Sequence, residues 1–477
     1  MDITFREELG DDMKRKVMWV GLLAILILIV SCVAANAETS GVYRGIDWTL
    51  DDDGVLTLGN GDTQTMVDET GTKWTYNKVK SVRCSGTIVC TGSLHEFFMS
   101  STMVSADLSG FDTSRVTGMS YLFMNCGRLT SIDLSGWDVG NVTELRGMFY
   151  DCESLTSVNL SGWNTGKVRD MSDMFAQCSS LTSLSLPGFV TASTTNINFM
   201  FSGCALLTDL DLSGWNTSSL TSVGSVFNGC SSLTNLDLSS WDVSKVVGIN
   251  SMFKACSSLT TLNLSGWNTS AVTSCSSTFT DCSSLVNVDL TGWDVSGVTS
   301  MYQMFSGCSS LTNLDLSGWD ARKVTRFDKM FYNCGALAVL NLDGFKTRDA
   351  TDMSSMFSGC TSLSAISTSS FETSNVTSMS SMFANCTSLV DINGSDLDTS
   401  SVTNMSGMFS NCSALVSLDL SDWTTNVATN MYHMFMNCSS LVSLDVSHFT
   451  TNDVTSMNQM FMNCSALVEL DVSSWNN

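Results

Sequence analysis

The sequence predicts an α/β repeat solenoid in which one short parallel strand and one short helix form each coil, behind a small β-rich N-terminal cap. The first observation is a cysteine that recurs every 26 residues, fourteen times without insertion or deletion, from Cys126 to Cys464. The second is a set of apolar columns at fixed distances from this cysteine. A constant period of this length indicates one supersecondary unit repeated along an axis.

The strand is predicted just downstream of each cysteine. A leucine stands three residues after every cysteine, and Leu, Val or Ile follows almost throughout at six and eight residues. In the copy around Cys308, Leu314 and Leu316 alternate with polar neighbours, which is the period-two pattern of a half-buried strand. An aromatic residue such as Trp319 comes eleven residues after the cysteine in thirteen of the copies.

The helix is predicted upstream of each cysteine. Four apolar residues of one copy recur at steps of three and four, namely Val298, Met301, Met304 and Phe305. This spacing places them on one face of a short helix, with Thr and Ser on the other. Asp294 or Ser296 would then supply the N-cap oxygen.

The chain divides into four segments by pattern. Residues 1–37 are a predicted signal peptide, 38–93 a β-rich cap, 94–112 a degenerate first repeat, and 113–477 the fourteen 26-residue repeats. Within the first segment, a basic stretch after Met13 precedes the apolar run 17–30, so Met13 is the predicted true start.

Three kinds of processing are open for the signal segment. Residues 35–37, Ala-Asn-Ala, form a small-x-small signal peptidase site, whereas residues 29–32 resemble a bacterial lipobox that would place a lipid on Cys32. Alternatively, residues 17–35 just reach the length of a membrane anchor. Each alternative predicts a protein exported to the cell surface or the extracellular space.

The cap carries a hairpin signal and a disulfide candidate. Residues 48–61 alternate apolar and polar side chains around an Asp-Asp-Asp-Gly turn, which predicts a β-hairpin. Cys84 and Cys90, out of register with the repeat cysteines, are the predicted disulfide pair.

The degenerate first repeat lies between the cap and the regular copies. It has Phe97 and Phe111 at the aromatic positions and Ser100 in place of the cysteine. An atypical terminal unit of this kind is typical of an end cap.

Charge limits the class of partner. The net charge is −24, from 22 Lys and Arg against 46 Asp and Glu, and no basic stripe interrupts it. Binding to nucleic acid depends on clusters of Lys and Arg, so nucleic acid is not a predicted partner. Contact with a membrane is predicted only through a lipid anchor or an uncleaved signal.

The repeat itself resembles a known family. The segment "VTSMYQMFSGCSSLTNLDLSGWDARKV", residues 298–324, is similar to the 26-residue repeat of bacterial surface proteins, the BspA-like leucine-rich-repeat group also found in Mycoplasma and Listeria lipoproteins. The resemblance extends over residues 112–477. It implies an exported, surface-attached protein, and for some members adhesion to host matrix proteins or to other bacteria.

The cysteine column is interpreted first as packing. A free cysteine between two inward-pointing apolar columns behaves as a small hydrophobic residue. Partial disulfide pairing between coils is a weaker alternative, and soft-metal binding is weaker still because one thiol per coil supplies no tetrahedral set. No cofactor and no metal are predicted.

An Asp/Asn column seven residues after the cysteine supplies the candidate ligand face. Its aspartates alternate with buried leucines and so point outward, and they are Asp133, Asp211, Asp237, Asp289, Asp315, Asp419, Asp445 and Asp471. Stacked carboxylates repel one another, which a cation or a basic partner would relieve. The plainer interpretation is a solvated face, because the Gly-rich motif of calcium-binding β-rolls is absent.

Catalysis has little support in the sequence. The three histidines, His95, His433 and His448, occupy unrelated positions in the repeat, so no Ser/His/Asp or zinc set is visible. Together with the resemblance, which implies surface attachment and adhesion, this predicts a surface or secreted binding protein, an adhesin that contacts an extracellular protein of the host matrix or of another cell. A structural spacer without a ligand is the alternative, and a carbohydrate-active enzyme comes third.

Overall fold

A computed structural model describes residues 39–67, 71–392 and 396–475. The predictions for residues 1–37, including the lipidation of Cys32, lie outside the described residues. Within these ranges the structure has no α-helix, and a short 3-10 turn spans Tyr76–Lys78. No helix in this part of the chain has the length and apolar content to cross a membrane.

The N-terminal cap consists of two small sheets. Its strands are β1 (Ser40–Tyr43), β2 (Ile46–Leu50), β3 (Val55–Leu58), β4 (Gln64–Thr65), β5 (Ser81–Cys84), β6 (Ile88–Ser93), β7 (Ser105–Asp107) and β8 (Phe111–Gly118). The first sheet has the order β1-β2-β3-β5-β7, and the second has the order β4-β6-β8. The predicted hairpin is confirmed, because β2 and β3 pair antiparallel with Trp48 opposite Leu58.

Short parallel strands stack along the repeats. They are β9 (Ser131–Asp133), β10 (Ser157–Asn159), β11 (Ser183–Leu184), β12 (Asp209–Leu210), β13 (Asn235–Asp237), β14 (Thr261–Asn263), β15 (Asn313–Asp315), β16 (Val339–Asn341), β17 (Ala365–Ile366) and β18 (Asp391–Ile392). Equivalent residues of consecutive coils pair, as Leu314 does with Leu340. The predicted strand is thus confirmed in ten of the fourteen coils, with its register of 26 residues, whereas the equivalent residues of the last two coils form only an isolated bridge, Ser443 with Glu469, and those after Cys282 and Cys412 form no strand.

The core is a set of columns that run the length of the stack. The phenylalanine three residues before each cysteine stacks on its equivalent in the next coil, from Phe98 to Phe461, with ring centroids 5.3–6.0 Å apart and nearly parallel planes. Leu311 and Leu316 are fully buried beside this column, as are their equivalents in most coils. Each coil therefore buries its apolar side chains against its two neighbours, which is how a repeat too small to fold alone becomes stable.

The predicted helix in each coil is wrong. In place of a helix, Ser300 forms a parallel bridge and residues 302–307 form consecutive turns, and the buried Val298, Met301 and Met304 point inward from this segment. Alternate backbone N–H groups donate to the next coil, Met301 to the carbonyl of Arg326 at 3.0 Å and Phe305 to that of Met330 at 2.8 Å. An α-helix would direct these groups to carbonyls four residues back in the same segment. The fold is therefore a β-solenoid.

Two left-handed positions in every coil explain why no helix forms. Gln303 has φ 55° and Gly307 has φ 76°, and the equivalent residues of every repeat coil also have positive φ. Left-handed residues interrupt a right-handed helix, and they favour Gly and Asn. Asp294, proposed as a helix N-cap, instead accepts a hydrogen bond from the N–H of Ser296 at 2.9 Å and forms a corner turn.

Ala255→Gly is expected to stabilise the protein by about 0.5–1 kcal/mol. Ala255 has φ 59° in a column that ten of the fourteen coils fill with Gly or Asn, and Gly adopts this conformation without the steric cost of a Cβ. The free energy of unfolding in urea measures the gain. Ala205→Gly is the matched control, because Ala205 has no positive φ and the substitution there should destabilise the protein. A loss of stability in Ala255→Gly would contradict the turn assignment.

The first repeat is shifted by one residue from its predicted alignment. Phe98, not Phe97, stacks on Phe123 at 5.6 Å, and Ser101, not Ser100, lies 3.4 Å from the thiol of Cys126. The cause is two irregularities in the pairing of β6 with β8, which change the spacing between paired residues from 23 to 25. The aromatic position of Phe111 is confirmed, since its ring stacks on Trp137.

Candidate functional site

The outward-facing strand residues form the candidate site. In β15, Leu314 is buried, whereas Asn313 and Asp315 on either side are exposed. The eight predicted aspartates all lie on this exposed side of their coils: Asp133, Asp211, Asp237, Asp289, Asp315, Asp419, Asp445 and Asp471. We call this surface, together with the residues two positions before each aspartate, the strand face.

Each of these aspartates also has a structural role that the sequence analysis missed. The Asp315 carboxylate accepts a hydrogen bond from the N–H of Ser317 at 2.9 Å, and the other seven make the same contact two residues downstream at 2.9–3.0 Å. The carboxylate thus fixes the turn that ends the strand. The signal in the sequence is the Ser or Thr that stands two residues after each aspartate.

The turn favours the ionised form of these carboxylates. The backbone N–H and then the hydroxyl of Ser317 lower the pKa of Asp315, and donors of the same kind lower the pKa of the other seven. A pKa below the unfolded value means that this contribution to stability is present above about pH 4 and disappears as the pH falls further. The strand face therefore carries full negative charge at neutral pH.

The charge is not evenly spread along the strand face. In the N-terminal and central coils, some aspartates are followed by an asparagine at the same position of the next coil, namely Asn159, Asn263 and Asn341. In the last three coils, Asp419, Asp445 and Asp471 follow one another directly. A groove of about 740 Å³ runs over this part of the face, lined by these three aspartates together with Asp391 and Glu469.

Thirteen of the fourteen repeat cysteines are buried thiols, and Cys464 in the last coil is partly exposed. Each Sγ–H donates to the carbonyl oxygen of the phenylalanine column in the preceding coil, as Cys308 does to Phe279 at 3.1 Å. The distance is 3.0–3.3 Å in all fourteen coils. Burial raises the pKa of Cys256 and Cys334 to about 12. A protonated, hydrogen-bonded thiol at this position supports packing as the role of the column.

The predicted disulfide between Cys84 and Cys90 stays a prediction. Both are thiols in the structure, with Cys90 buried and Cys84 partly exposed. Burial raises the pKa of Cys84 to about 11, and it also raises the pKa of Cys90, with the nearby Cys84 as a smaller cause.

The histidines lie apart from one another and serve local contacts. His95 is 3.2 Å from the carboxylate of Glu96, His433 contacts Gln459, and the Nε2 of His448 lies 3.0 Å from the carbonyl of Leu420. Within the described ranges, no group of His, Cys, Asp and Glu is arranged to hold a metal ion.

A family model matches most of the chain. The model is described as a Mycoplasma protein of unknown function, DUF285, and it matches residues 92–209, 195–314, 258–368, 299–415 and 390–477. The chain belongs to this family. The DUF285 match confirms the resemblance to the 26-residue repeats of bacterial surface proteins. No curated protein sequence matches this DUF285 chain.

Several solved structures are similar to this DUF285 chain at low identity. A leucine-rich cell surface protein of Faecalibacterium prausnitzii is 17% identical over 81% of this chain and 95% of its own, with a TM-score of 0.31. A leucine-rich-repeat protein of Eubacterium ventriosum is 16% identical over 78% and 95%, also with a TM-score of 0.31. The pneumococcal vaccine antigen PcpA is 14% identical over 80% and 94%, with a TM-score of 0.37.

Proposed function

We propose that this chain is an exported surface repeat protein that binds an extracellular protein through its strand face. The observation that carries the proposal is the contrast between columns. The Phe, Leu and Cys columns repeat almost unchanged, whereas the strand-face residue five after the cysteine changes in chemistry from coil to coil: Ser131, Asp209, Asn235, Thr261, Val339, Ala365 and Glu469 are examples.

The strand face is free to carry specificity because packing does not fix it. Side chains such as Asn313 and Val339 point to solvent, so they can change without disturbing the stack. Non-catalytic recognition over an extended, polar surface of this kind needs no enclosed pocket and no titrating nucleophile. Export, by a cleaved signal or through a lipid on Cys32, would place the face where an extracellular partner can reach it.

Binding by the full chain to an immobilised panel of extracellular-matrix proteins tests this function. A binding protein should give saturable binding, and removal of successive 26-residue coils from the middle of the stack should weaken that binding stepwise, because fewer sites contact the partner at once. Circular dichroism checks that each shortened chain is still folded. A structural spacer would bind no panel member at any length, and this result would overturn the proposal.

A further inference from the structure

The C-terminal coils are set apart by charge. No Lys or Arg follows Arg348, although carboxylates continue to the end of the chain. These carboxylates are Asp349, Asp352, Glu372, Asp391, Asp396, Asp398, Asp419, Asp422, Asp445, Asp453, Glu469 and Asp471. In the central coils, Arg322 pairs with Asp320 and Arg326 with Asp328. The last coils have no side-chain cation other than histidine to offset the negative charge of their carboxylates.

An apolar stripe runs beside the acidic groove in the same coils. Its members stand four residues after the cysteine, and they are Val390, Val416, Val442 and Val468, exposed by 47%, 44%, 44% and 83%. We call these four residues the valine stripe. Each lies directly before the strand residues that line the groove. Single exposed apolar residues are ordinary on protein surfaces. A row of exposed apolar side chains in consecutive coils forms a contiguous patch, and such patches are typical of interaction sites.

The same column is polar in the N-terminal half of the stack. It holds Thr130, Thr156, Thr182, Thr208, Thr234 and Thr260, with Val286 as an isolated exception before Thr312. Threonine suits this position, because the hydroxyl of Thr156 donates to the carbonyl of Thr130 at 2.9 Å and that of Thr260 to Thr234 at 3.1 Å. The last four coils replace this hydrogen-bonded ladder with exposed methyl groups.

We propose that the valine stripe and the acidic groove together bind an extended cationic segment of a partner protein. Apolar side chains of the segment pack on Val416 and Val442, and its Lys or Arg side chains pair with the carboxylates of Asp419, Asp445 and Asp471. The inference deepens the proposed function, on which it rests for the existence of an extracellular protein partner.

Charge complementarity selects this occupant. Three consecutive carboxylates without an interleaved Asn repel one another, and a row of cations removes that repulsion. The same field repels an anionic membrane and nucleic acid. A second copy of this chain, with its net charge of −24, would be repelled as well. The valine stripe adds apolar contact that a small cation or a polyamine would leave unused.

Three labelled peptides separate the contributions of charge and of apolar contact. Each has about eight residues, which in extended form is long enough to cross several coils stacked about 4.8 Å apart. One alternates Lys and Leu, one alternates Lys and Ser, and one alternates Ser and Leu. Fluorescence anisotropy with the full chain should rank them in that order of affinity. Binding of the Lys-Leu peptide should weaken as salt rises, because the ion pairs are screened.

Matched substitutions locate the site without disturbing the turns. A triple variant, Asp419→Asn, Asp445→Asn and Asp471→Asn, removes three charges and keeps the turns, since Asn159 and Asn263 already accept the same backbone hydrogen bond at 3.2 and 3.1 Å. It should weaken Lys-Leu binding by about tenfold or more. The control triple, Asp133→Asn, Asp211→Asn and Asp237→Asn, should change it by less than about twofold. Val416→Thr with Val442→Thr should weaken the Lys-Leu peptide and spare Lys-Ser.

Equal losses of binding in the two aspartate triples would overturn the assignment. It would also be overturned if Ca²⁺ bound tightly on its own and displaced the peptide at millimolar concentration. Self-association of the chain that the C-terminal triple abolishes would overturn it as well. Binding to the matrix panel separates this inference from the proposed function. If a matrix protein binds and the C-terminal triple does not weaken it, the function stands and the site is wrong. If no matrix protein binds while the peptide still depends on Asp419, Asp445 and Asp471, the site stands and the function is wrong.

Discussion

Raising the pH from 9 to 10 is expected to destabilise the protein steeply and to unfold its coils. Burial raises the pKa of Cys204, Cys256 and Cys334 to about 12, from an ordinary value near 9. In this window the unfolded chain loses thiol protons that the folded chain keeps, so the free energy of unfolding falls as the pH rises. Each such thiol removes about 1 kcal/mol between pH 9 and 10, because the unfolded thiol is only half ionised at pH 9, and the effect adds over all coils that unfold together.

Urea denaturation at pH 8, 9 and 10 under reducing conditions measures this slope. Lys73 works in the opposite direction, because burial first and Arg44 second lower its pKa to about 8. So does Cys126, whose pKa, despite burial, is lowered by hydrogen bonds from Cys152 and Ser101, but these are two residues against a column of thiols. A variant with Cys282→Ala, Cys308→Ala and Cys334→Ala provides the comparison. It should be less stable at pH 8 and lose less stability per pH unit. An unchanged urea midpoint between pH 8 and 10 would show that the thiols ionise as freely in the folded chain as in the unfolded one.

Phe305→Ala is expected to cost about 3–5 kcal/mol, the range for an aromatic ring removed from a core. The ring is fully buried and stacks on Phe279 at 5.3 Å and on Phe331 at 5.6 Å. Because a solenoid coil contacts only its neighbours, the substitution weakens two interfaces at once. Unfolding should then divide into two transitions, one for the coils on each side of the gap.

Phe199→Ala is the control for this prediction. Phe199 is also a phenylalanine of the repeat region, but its side chain is 44% exposed and it lies at a left-handed turn position with φ 58°. Its removal should change the free energy of unfolding by less than about 0.5 kcal/mol, as for most surface substitutions. Chemical denaturation monitored by circular dichroism compares the two variants. Similar losses in both would mean that the phenylalanine column is not the continuous core of the stack.

The sequence was sufficient to predict the columns but not the path of the backbone between them. Period-two alternation around Leu314 identified the strand, because only a strand places alternate residues on opposite faces. The steps of three and four between Val298 and Phe305 fit a helix, but tight turns that direct the same residues inward produce identical spacing. The discriminating signal was the Gly or Asn before most of the cysteines, as at Gly307 and Asn333, because those residues favour a left-handed conformation.

The candidate site was predictable to a similar degree. Outward placement of Asp315 followed from its alternation with Leu314 and Leu316, and the structure places it there. Its turn contact with Ser317 does not follow from that alternation, because the contact depends on the backbone path after the strand. The valine stripe was missed because each valine, taken singly, fits a strand. Only the stacking of coils shows that four of them lie in a row beside the groove.

The constant register of 26 residues makes the length of the protein adjustable in whole steps. Leu314 pairs with the residue 26 positions ahead, and so does Leu236, although the two lie three coils apart. A duplication or deletion of one full coil by recombination between repeated gene segments therefore rejoins equivalent residues, and every column continues across the new junction. The reach of the protein can change by about 4.8 Å per coil while its two ends keep their own sequences. Natural variants of this gene are thus expected to differ in coil number more readily than in coil length.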